Sequence, residues 1–297
     1  MEFKPGWHKD ISDEDYHSSN GVSSSTLKKW LTMAPNEVLH SQMNPKKETD
    51  SLTLGKLVHA FVLEPEKAED CFVVLPEINK RTKQGRADFE SFVTENEGKI
   101  ICKREDLEKA KRMAQSVFDH PDARLLLDGT INESSVYWWY KKRDDADDRD
   151  YKQICKVRPD AISTNYPMLI DLKTSDDASY ESFQHSVNKY YYHLSAAMYL
   201  NGVNQCHDIR KECNPEFYKY FAFIVVSKTP AFDTVTKSVV YNTAVYSLDQ
   251  KSIDMGNQLY RHAMMRLHDA KHNNYPGLPS GIRDLELPPW GNKIPIV

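Results

Sequence analysis

The sequence predicts an α/β protein in which helices flank a central mixed β-sheet. Three observations predict this fold class: helix-like spacing dominates the first 130 residues, strand-like segments cluster between residues 133 and 246, and a further helix-like segment lies among them near 179–201. Helices and strands that interleave in this way form layered α/β architectures. The 297 residues contain no linker-like segment, so we expect a single domain over 1–297.

The composition is that of a soluble globular protein. Hydrophobic residues make up 40% and charged residues 28% of the chain, and no apolar run approaches the ~20 residues of a membrane span. The segment "MEFKPGWHKD" lacks the apolar core of a signal peptide. We therefore expect a cytoplasmic protein without membrane association. The net charge of −4 means that any nucleic-acid site must be a local basic patch.

The N-terminal part, about residues 1–130, is predicted to be mainly helical. A serine cluster precedes Leu27 and Trp30 with the spacing of a capped helix. The segment "DSLTLGKLVHAFVLEP" predicts a second helix that stops before Pro65. Charge-rich amphipathic patterns predict two more helices, at 83–97 and 106–127.

The rest of the chain alternates between strand and helix patterns. β-branched and aromatic residues predict a three-strand meander followed by two later strands, at 133–140, 151–162, 168–174, 217–227 and 238–246. Helices are predicted at 179–201, ended by Asn201-Gly202, and from the capping box at 247–250 to about 272. A mixed-charge loop at 141–150 and a Pro-rich tail at about 273–297 complete the chain.

Two aspartates are predicted to face each other across the second and third strands. If Ser163 pairs with Met168 across the intervening loop, counting outward along an antiparallel ladder brings Asp160 opposite Asp171. Directly opposed Cβ atoms lie about 4.5–5.5 Å apart. Two half-buried carboxylates at that distance repel each other, so one must take a proton or a cation must lie between them. A divalent, oxygen-preferring ion such as Mg²⁺ fits this requirement.

Lys173 follows Asp171 by two residues and therefore points to the same face of its strand. An ammonium group at a metal site can orient a water molecule and offset charge that builds on a phosphate. Asp160, Asp171 and Lys173 thus predict a phosphodiester-hydrolysing centre. The alternative is an internal salt bridge between Lys173 and one of the aspartates.

His59 and Glu133 each allow two interpretations. His59 shares a helix face with Gly55 and Val62, where a histidine can be a core residue or a metal ligand. Glu133 begins the predicted first strand of the meander, where a carboxylate can face solvent or lie beside a metal.

Two groups of residues are candidates for DNA contacts. Ser24, Ser25 and Lys28 could hold a phosphate at a helix start, or they could be an ordinary N-cap with a surface lysine. Tyr192 and Tyr199 lie two turns apart on one helix face, where they could line DNA or pack in the core.

Four segments in order resemble a known nuclease superfamily. "RPDAI" followed by "LIDLKT" resembles the PD-(D/E)xK motif, with Pro159-Asp160 and Asp171-Leu172-Lys173. "LGKLVHAFVLEP" resembles the histidine-bearing helix of the RecB-like branch, "VSSSTLKKWLTMAPNEV" its opening segment and "YYYHLSAAMYLNG" its later helix. Together, between about residues 21 and 227, they resemble the RecE-like exonucleases of the exodeoxyribonuclease VIII type.

The resemblance implies a restriction-endonuclease-like core and assigns roles to residues. His59, Asp160, Asp171 and the Leu172 carbonyl would hold Mg²⁺, for which Mn²⁺ could substitute. Lys173 would act in catalysis with Asp160 and Asp171, and Glu133 would be an acidic residue beside the metal. In the later helix Ser195 occupies the position of a family glutamine, while Tyr199 keeps the family tyrosine.

The resemblance also implies an activity and partners. RecE-like enzymes degrade duplex DNA from 5′ ends without ATP and leave 3′ single-stranded tails for a RecT-like annealing protein. They assemble as homo-oligomeric rings. The chain carries no GxxxxGK[ST] segment, in agreement with a reaction that needs no ATP.

Three alternatives stay open. The first is a nuclease of the CRISPR-associated or AddB type, which carries an iron–sulfur cluster on four cysteines, one early and three late. Here only Cys206 and Cys213 lie late in the chain, and the odd total of five cysteines without a CxxC pair predicts neither that cluster nor a disulfide framework. The others are an endonuclease built on the same site and a catalytically silent DNA-end-binding module.

Overall fold

The computed structural model describes residues 2–44, 49–142, 151–212, 217–282 and 284–285. Most of the predicted mixed-charge loop, the last part of the predicted C-terminal tail and Cys213 lie outside these residues. No disulfide joins the cysteines of the described ranges.

Helices account for most of the first 130 described residues and cover the sheet from both sides. Their bounds are α1 Asp13–Ser18, α2 Ser24–Thr32, α3 Pro35–Met43, α4 Asp50–Leu63, α5 Lys83–Glu95, α6 Arg104–Asp119, α7 Pro121–Leu127, α8 Tyr180–Lys189, α9 Tyr192–Gln205, α10 His207–Glu212 and α11 Gln250–His272.

The strands form one central sheet and two smaller sheets. Their bounds are β1 Gly6–His8, β2 Phe72–Val74, β3 Ile100–Cys102, β4 Thr130–Asn132, β5 Ser135–Lys142, β6 Tyr151–Val157, β7 Ala161–Ser163, β8 Met168–Ser175, β9 Tyr220–Asp233 and β10 Ser238–Ser247. The central sheet has the order β10-β9-β8-β7-β4, and a second sheet has the order β1-β5-β6. Because β8 and β9 are parallel while the other central pairs are antiparallel, the central sheet is mixed.

Alternate residues of the central strands bury opposite faces of the sheet. Ile170 and Leu172 of β8 pack with α4 and α6 in one hydrophobic cluster, whereas Leu169 and Phe223 belong to a second cluster with α2, α9 and α11. This alternation follows from the two-residue period of a strand. The predicted α/β fold with a mixed sheet between helices is confirmed.

The predicted strand at 151–162 is wrong in one respect, because it is two strands in different sheets. β6 ends at Val157 and pairs with β5, whereas β7 begins at Ala161 and pairs with β4 and β8. Pro159 lies where the chain passes from one sheet to the other. Because proline has no backbone N–H, it cannot continue the hydrogen-bonded ladder there. The predicted three-strand meander is therefore divided between two sheets.

The predicted helix at 179–201 is also two helices. Tyr191 adopts a left-handed conformation with φ 51°, which ends α8 and redirects the chain into α9. In addition, α9 continues past Asn201-Gly202 to Gln205. A Cβ added at Gly202 would overlap the Trp138 ring, so this glycine permits close packing and does not end the helix. The predicted 106–127 helix is also two helices, and here the break is at His120-Pro121, where His120 has an extended backbone.

Gly256 is expected to be a stability determinant of the α9–α11 contact. A Cβ added there would overlap the backbone carbonyl of His193, whereas one added at Gly55 of α4 finds Thr174 Oγ1 at 3.6 Å, an ordinary contact. Gly256→Ala should lower the free energy of unfolding by about 1–3 kcal/mol. The matched Gly55→Ala should keep it or raise it by up to about 1 kcal/mol, because alanine favours helix. Urea denaturation measures both, and equal effects would contradict this packing argument.

Candidate active site

The site begins where the pairing of β7 with β8 stops. The observed pairs Ile162–Leu169 and Ala161–Ile170 confirm the predicted hairpin register. Beyond them, the Leu172 N–H donates to Asp160 Oδ2 at 2.6 Å, and the Leu172 carbonyl oxygen lies 2.9 Å from His59 Nε2. Because β7 begins only at Ala161, side chains satisfy the backbone of β8 at this edge.

Helix α4 places His59 against that edge. Its neighbours Leu57 and Val58 are fully buried in the α4–α6 side of the core, whereas the His59 side chain keeps 29% of its surface exposed. Both ring nitrogens face polar atoms, since Nε2 contacts the Leu172 carbonyl and Nδ1 lies 3.8 Å from Asp160 Oδ2. His59 therefore lies at the border of the core with its ring directed into a polar site.

Glu133 reaches the same site through an unusual backbone conformation. It lies between β4 and β5, outside the strand in which it was predicted, with φ 49°. Its N–H donates to the Asp160 carbonyl at 3.1 Å. A left-handed conformation is rare for a residue with a Cβ and often marks a functional position. This turn brings ligand atoms of His59, Glu133 and Asp160 within 4.8 Å of one another.

Burial disfavours the ionised forms of the Asp160 and Glu133 carboxyl groups. Burial, followed by the neighbouring Asp171 carboxylate, raises the pKa of Asp160, which His59 and Lys173 only partly counteract. Burial and the charge of Asp160 raise the pKa of Glu133 well above its usual range. Without a cation the pair therefore favours protonated forms, and a divalent cation would favour the ionised ones.

The donor set fits a divalent metal ion. His59 and Asp160 were predicted ligands, and Glu133 joins them with a second carboxylate. The 3.8 Å between His59 Nδ1 and Asp160 Oδ2 is within the ~4.2 Å that two ligands can span when each lies ~2.1 Å from one ion. Two carboxylates with one imidazole suit Mg²⁺ or Mn²⁺. The other predicted ligands are engaged differently, because Asp171 pairs with Lys173 and the Leu172 carbonyl contacts His59.

Lys173 lies beside this group, on the same side of β8 as Asp171, as predicted. Its ammonium group forms an ion pair with Asp171 Oδ2 and lies 3.5 Å from the Leu172 carbonyl oxygen. Burial opposes the charged form of Lys173, but Asp171 and Asp160 outweigh it and raise its pKa. Lys173 is therefore a firmly held positive charge next to the carboxylates.

Tyr192 connects Lys173 to Lys28 of α2. The Lys28 and Lys173 ammonium groups lie 5.1 and 5.3 Å from the centre of the Tyr192 ring. Burial, together with the positive charge of Lys173, lowers the pKa of Lys28 to about 8. Lys28 is thus a partly buried neighbour of the site, and the alternative of a surface lysine does not describe it.

The remaining predicted DNA contacts lie deeper in the protein or at the start of α2. The N-cap of α2 is Ser23, whose hydroxyl accepts from the Thr26 N–H, and Ser25 is exposed beside it. Ser24 is buried and hydrogen-bonds Tyr199, whose pKa is raised well above its usual value, first by burial. Tyr199 and Ser195 are both within α9, where Ser195 is buried.

Arg158 supports the site but was not among the predicted residues. Its guanidinium is almost fully buried and donates to Ser135 Oγ at 2.9 Å and to Asp13 Oδ1 at 2.7 Å. These bonds hold the segment before Asp160 against the segment after Glu133. The signal in the sequence was an arginine within the predicted strand at 151–162, directly before the Pro-Asp pair.

A family model covers most of the chain. Residues 23–282 match the PDDEXK-like domain of unknown function, DUF3799. The chain belongs to this family. The match agrees with the geometry, since it includes the α2 segment, His59, Glu133 and the Pro159-Asp160 and Asp171-Leu172-Lys173 positions. Family membership supports a nuclease with a divalent metal and does not by itself identify the RecE-like branch.

Comparison with solved structures supports the same fold. The structure is similar to a candidate exonuclease from Eubacterium rectale, with a TM-score of 0.55, 13% identity, and coverage of 90% of this chain and 88% of that chain. It also matches a phage-related exonuclease from Haemophilus somnus at 13% identity, covering 86% of this chain and 96% of that one, with a TM-score of 0.33. The first likeness shows the restriction-endonuclease-like fold. No curated protein matches the sequence.

The described helices include none with both the length and the apolar character needed to cross a membrane.

Asp160→Asn tests whether the carboxyl cluster holds a metal. The raised pKa means that ionised Asp160 destabilises the metal-free fold as pH rises through that pKa. At pH 8 we expect the metal-free variant to melt no lower than wild type, because asparagine can still accept the Leu172 N–H. Added Mn²⁺ should stabilise wild type by about 2–3 kcal/mol when its concentration is near 100 times the Kd, and it should stabilise the variant much less.

Thermal denaturation with and without Mn²⁺ measures both effects, and Asp254→Asn, at an exposed position of α11, is the control. An equal metal response in wild type and Asp160→Asn would remove Asp160 from the site.

Proposed function

We propose that this protein is a Mg²⁺-dependent, ATP-independent exonuclease that degrades duplex DNA from 5′ ends and leaves 3′ single-stranded tails. The observation that carries the proposal is the meeting of His59, Glu133 and Asp160 beside the Lys173–Asp171 pair. The finer features, namely 5′-to-3′ polarity and independence of ATP, come from the RecE-like resemblance. So do the proposed ring-shaped homo-oligomer and the RecT-like annealing partner, whereas the proposed cytoplasmic location comes from the composition of the sequence.

Each residue has a distinct part in the proposed hydrolysis. When bound, the metal polarises the scissile phosphate and lowers the pKa of a water molecule. Asp160 and Glu133 provide carboxylates for the ion, and the His59 ring provides a nitrogen. The Leu172 N–H fixes Asp160 Oδ2, so the carboxylate is oriented before substrate arrives. Lys173 positions the attacking water and offsets negative charge on the phosphate in the transition state.

Lys28 and Tyr192 extend this site toward the DNA backbone. The two ammonium groups near the Tyr192 ring form the local basic patch that a protein of net charge −4 requires. We assign Lys28, with the Ser24–Ser25 turn of α2, to the 5′-terminal phosphate. Partial burial strengthens a charge–phosphate contact because it reduces screening by solvent.

Lys173→Ala is expected to abolish cleavage while DNA binding survives. A charge that acts mainly in the transition state affects turnover more than affinity, so the rate should fall at least roughly 100-fold. The assay uses linear duplex labelled separately at each 5′ and 3′ end, with Mg²⁺ and no ATP, and Lys251→Ala on the outside of α11 serves as control. Label released first from 5′ ends, with closed circles resistant, supports the proposal. Equal degradation of closed circles would indicate the endonuclease alternative, and wild type that binds ends without cleavage would indicate the silent module.

Lys28→Ala tests the 5′-phosphate assignment. The variant should lose most of the preference for 5′-phosphorylated over 5′-hydroxyl ends, because the phosphate loses its partly buried cation. Lys29→Ala is a matched control, since Lys29 is the next residue of α2 and its ammonium group binds Ser41 Oγ at 3.1 Å. Initial rates on the two kinds of end, measured at two salt concentrations, give the preference. A preference unchanged by Lys28→Ala would assign the phosphate to another group.

A further inference from the structure

Three consecutive tyrosines form the junction between α8 and α9. Tyr190 caps α8, Tyr191 takes the left-handed conformation with φ 51° and ψ 44°, and α9 begins at Tyr192. In a continuous helix, residues two apart point in directions that differ by about 200°, so their rings could not meet. Here the Tyr190 and Tyr192 ring centroids are 5.6 Å apart with an interplanar angle of 30°. The break therefore places a second ring beside the one that contacts Lys28 and Lys173.

The Tyr190 ring is the outward part of this aromatic pair. Tyr190 keeps 47% of its surface exposed, whereas Tyr192 is partly buried and its ring lies near both Lys28 and Lys173. Lys189 adds another ammonium group, 5.1 Å from the centre of the Tyr190 ring. An aromatic and basic surface thus runs from the metal-binding group outward. We call Tyr190, Tyr192 and Lys189 the tyrosine ledge.

This combination has the chemistry of a site for unpaired nucleotides. Exposed rings stack on nucleobases of any sequence, and nearby ammonium groups bind the connecting phosphates. A paired base inside a duplex has both faces covered by its neighbours, so only an unpaired or frayed nucleotide can offer a face to Tyr190. Position also favours DNA as the ligand, because the inner ring of the ledge already contacts the two lysines that flank the proposed phosphate path.

We propose that Tyr190 stacks on an unpaired nucleobase of the strand that enters the metal site. This inference rests on the proposed nuclease function and adds a specificity element to it. Stacking would hold the terminal nucleotide away from its complement while its phosphate meets Lys28 and Lys173. The enzyme would then favour ends that are already unpaired or that open easily.

The test compares DNA with and without a base to stack on. The probes are 5′-phosphorylated duplexes with a three-nucleotide 5′ overhang that is either thymidine or abasic, and Kd is measured with Ca²⁺ in place of Mg²⁺. Wild type should bind the thymidine overhang roughly 5- to 150-fold more tightly, the range expected for stacking on one ring. Tyr190→Phe should keep this ratio, and Tyr190→Ala should reduce it to about one.

Two further variants separate stacking from structural effects. Tyr190→Leu keeps an apolar contact with Tyr192 but offers no aromatic face, so it should also lose the ratio. Tyr166→Ala, which removes a tyrosine of similar exposure, 40%, in the β7–β8 loop, should keep it.

Three outcomes would overturn the inference. Wild type that degrades duplex in Mg²⁺ but shows a ratio of one overturns it and leaves the nuclease proposal standing. Failure of wild type to bind or degrade DNA overturns both. A changed self-association of Tyr190→Ala with an unchanged ratio would assign the ring to a protein contact and also overturn the inference.

Discussion

The early end of β7 is the constraint on which the site depends. Strand β8 is paired with β9 along its length, but on its other side the ladder stops at Ala161–Ile170. The N–H and carbonyl of Leu172 must find other partners, because unpaired buried backbone groups are costly. Asp160 and His59 supply them. The groups that would hold the metal are thus fixed by the same hydrogen bonds that complete the sheet, and Pro159 sets where the ladder ends.

Holding acidic groups in that position opposes folding unless positive charge is close. The raised pKa values of Asp160 and Glu133 express this, since each has burial as its largest cause. Two kinds of positive charge can offset this unfavourable ionisation. Lys173 and Arg158 belong to the chain, where Lys173 counteracts the raised pKa of Asp160 and Arg158 that of Glu133, and a divalent ion would lie within the cluster itself. Arg158 also ties the chain segment before Asp160 to Asp13, so the N-terminal segment contributes to the geometry of the site.

Much of the fold and the centre of the site could be predicted from the sequence, whereas the connections could not. Residue patterns and capping or stop signals located β8, β9, α4 and α11, and the hairpin register followed from the assumed pairing of Ser163 with Met168 across the loop. The Asp171–Lys173 proximity followed from the strand period. The contact of His59 with Leu172 needed the resemblance, because no local pattern brings α4 to the edge of β8. The role of Arg158 and the approach of Glu133 to Asp160 depend on which sheet each strand joins, and that choice is made by long-range pairing.

Three of the failures of prediction share a location, which itself carries information. The break of the 151–162 strand lies at Pro159, the left-handed Glu133 replaces a strand residue, and the left-handed Tyr191 divides a predicted helix. Local rules predicted regular structure at each of these places. All three breaks adjoin the same site, and each turns a side chain toward it: Asp160 after Pro159, Glu133 itself, and Tyr192 after Tyr191. Departures from local preference persist where the surrounding fold enforces them, and they concentrate at functional positions. By that reasoning the α8–α9 junction is a candidate part of the same functional surface, because a continuous helix would have separated the Tyr190 and Tyr192 rings.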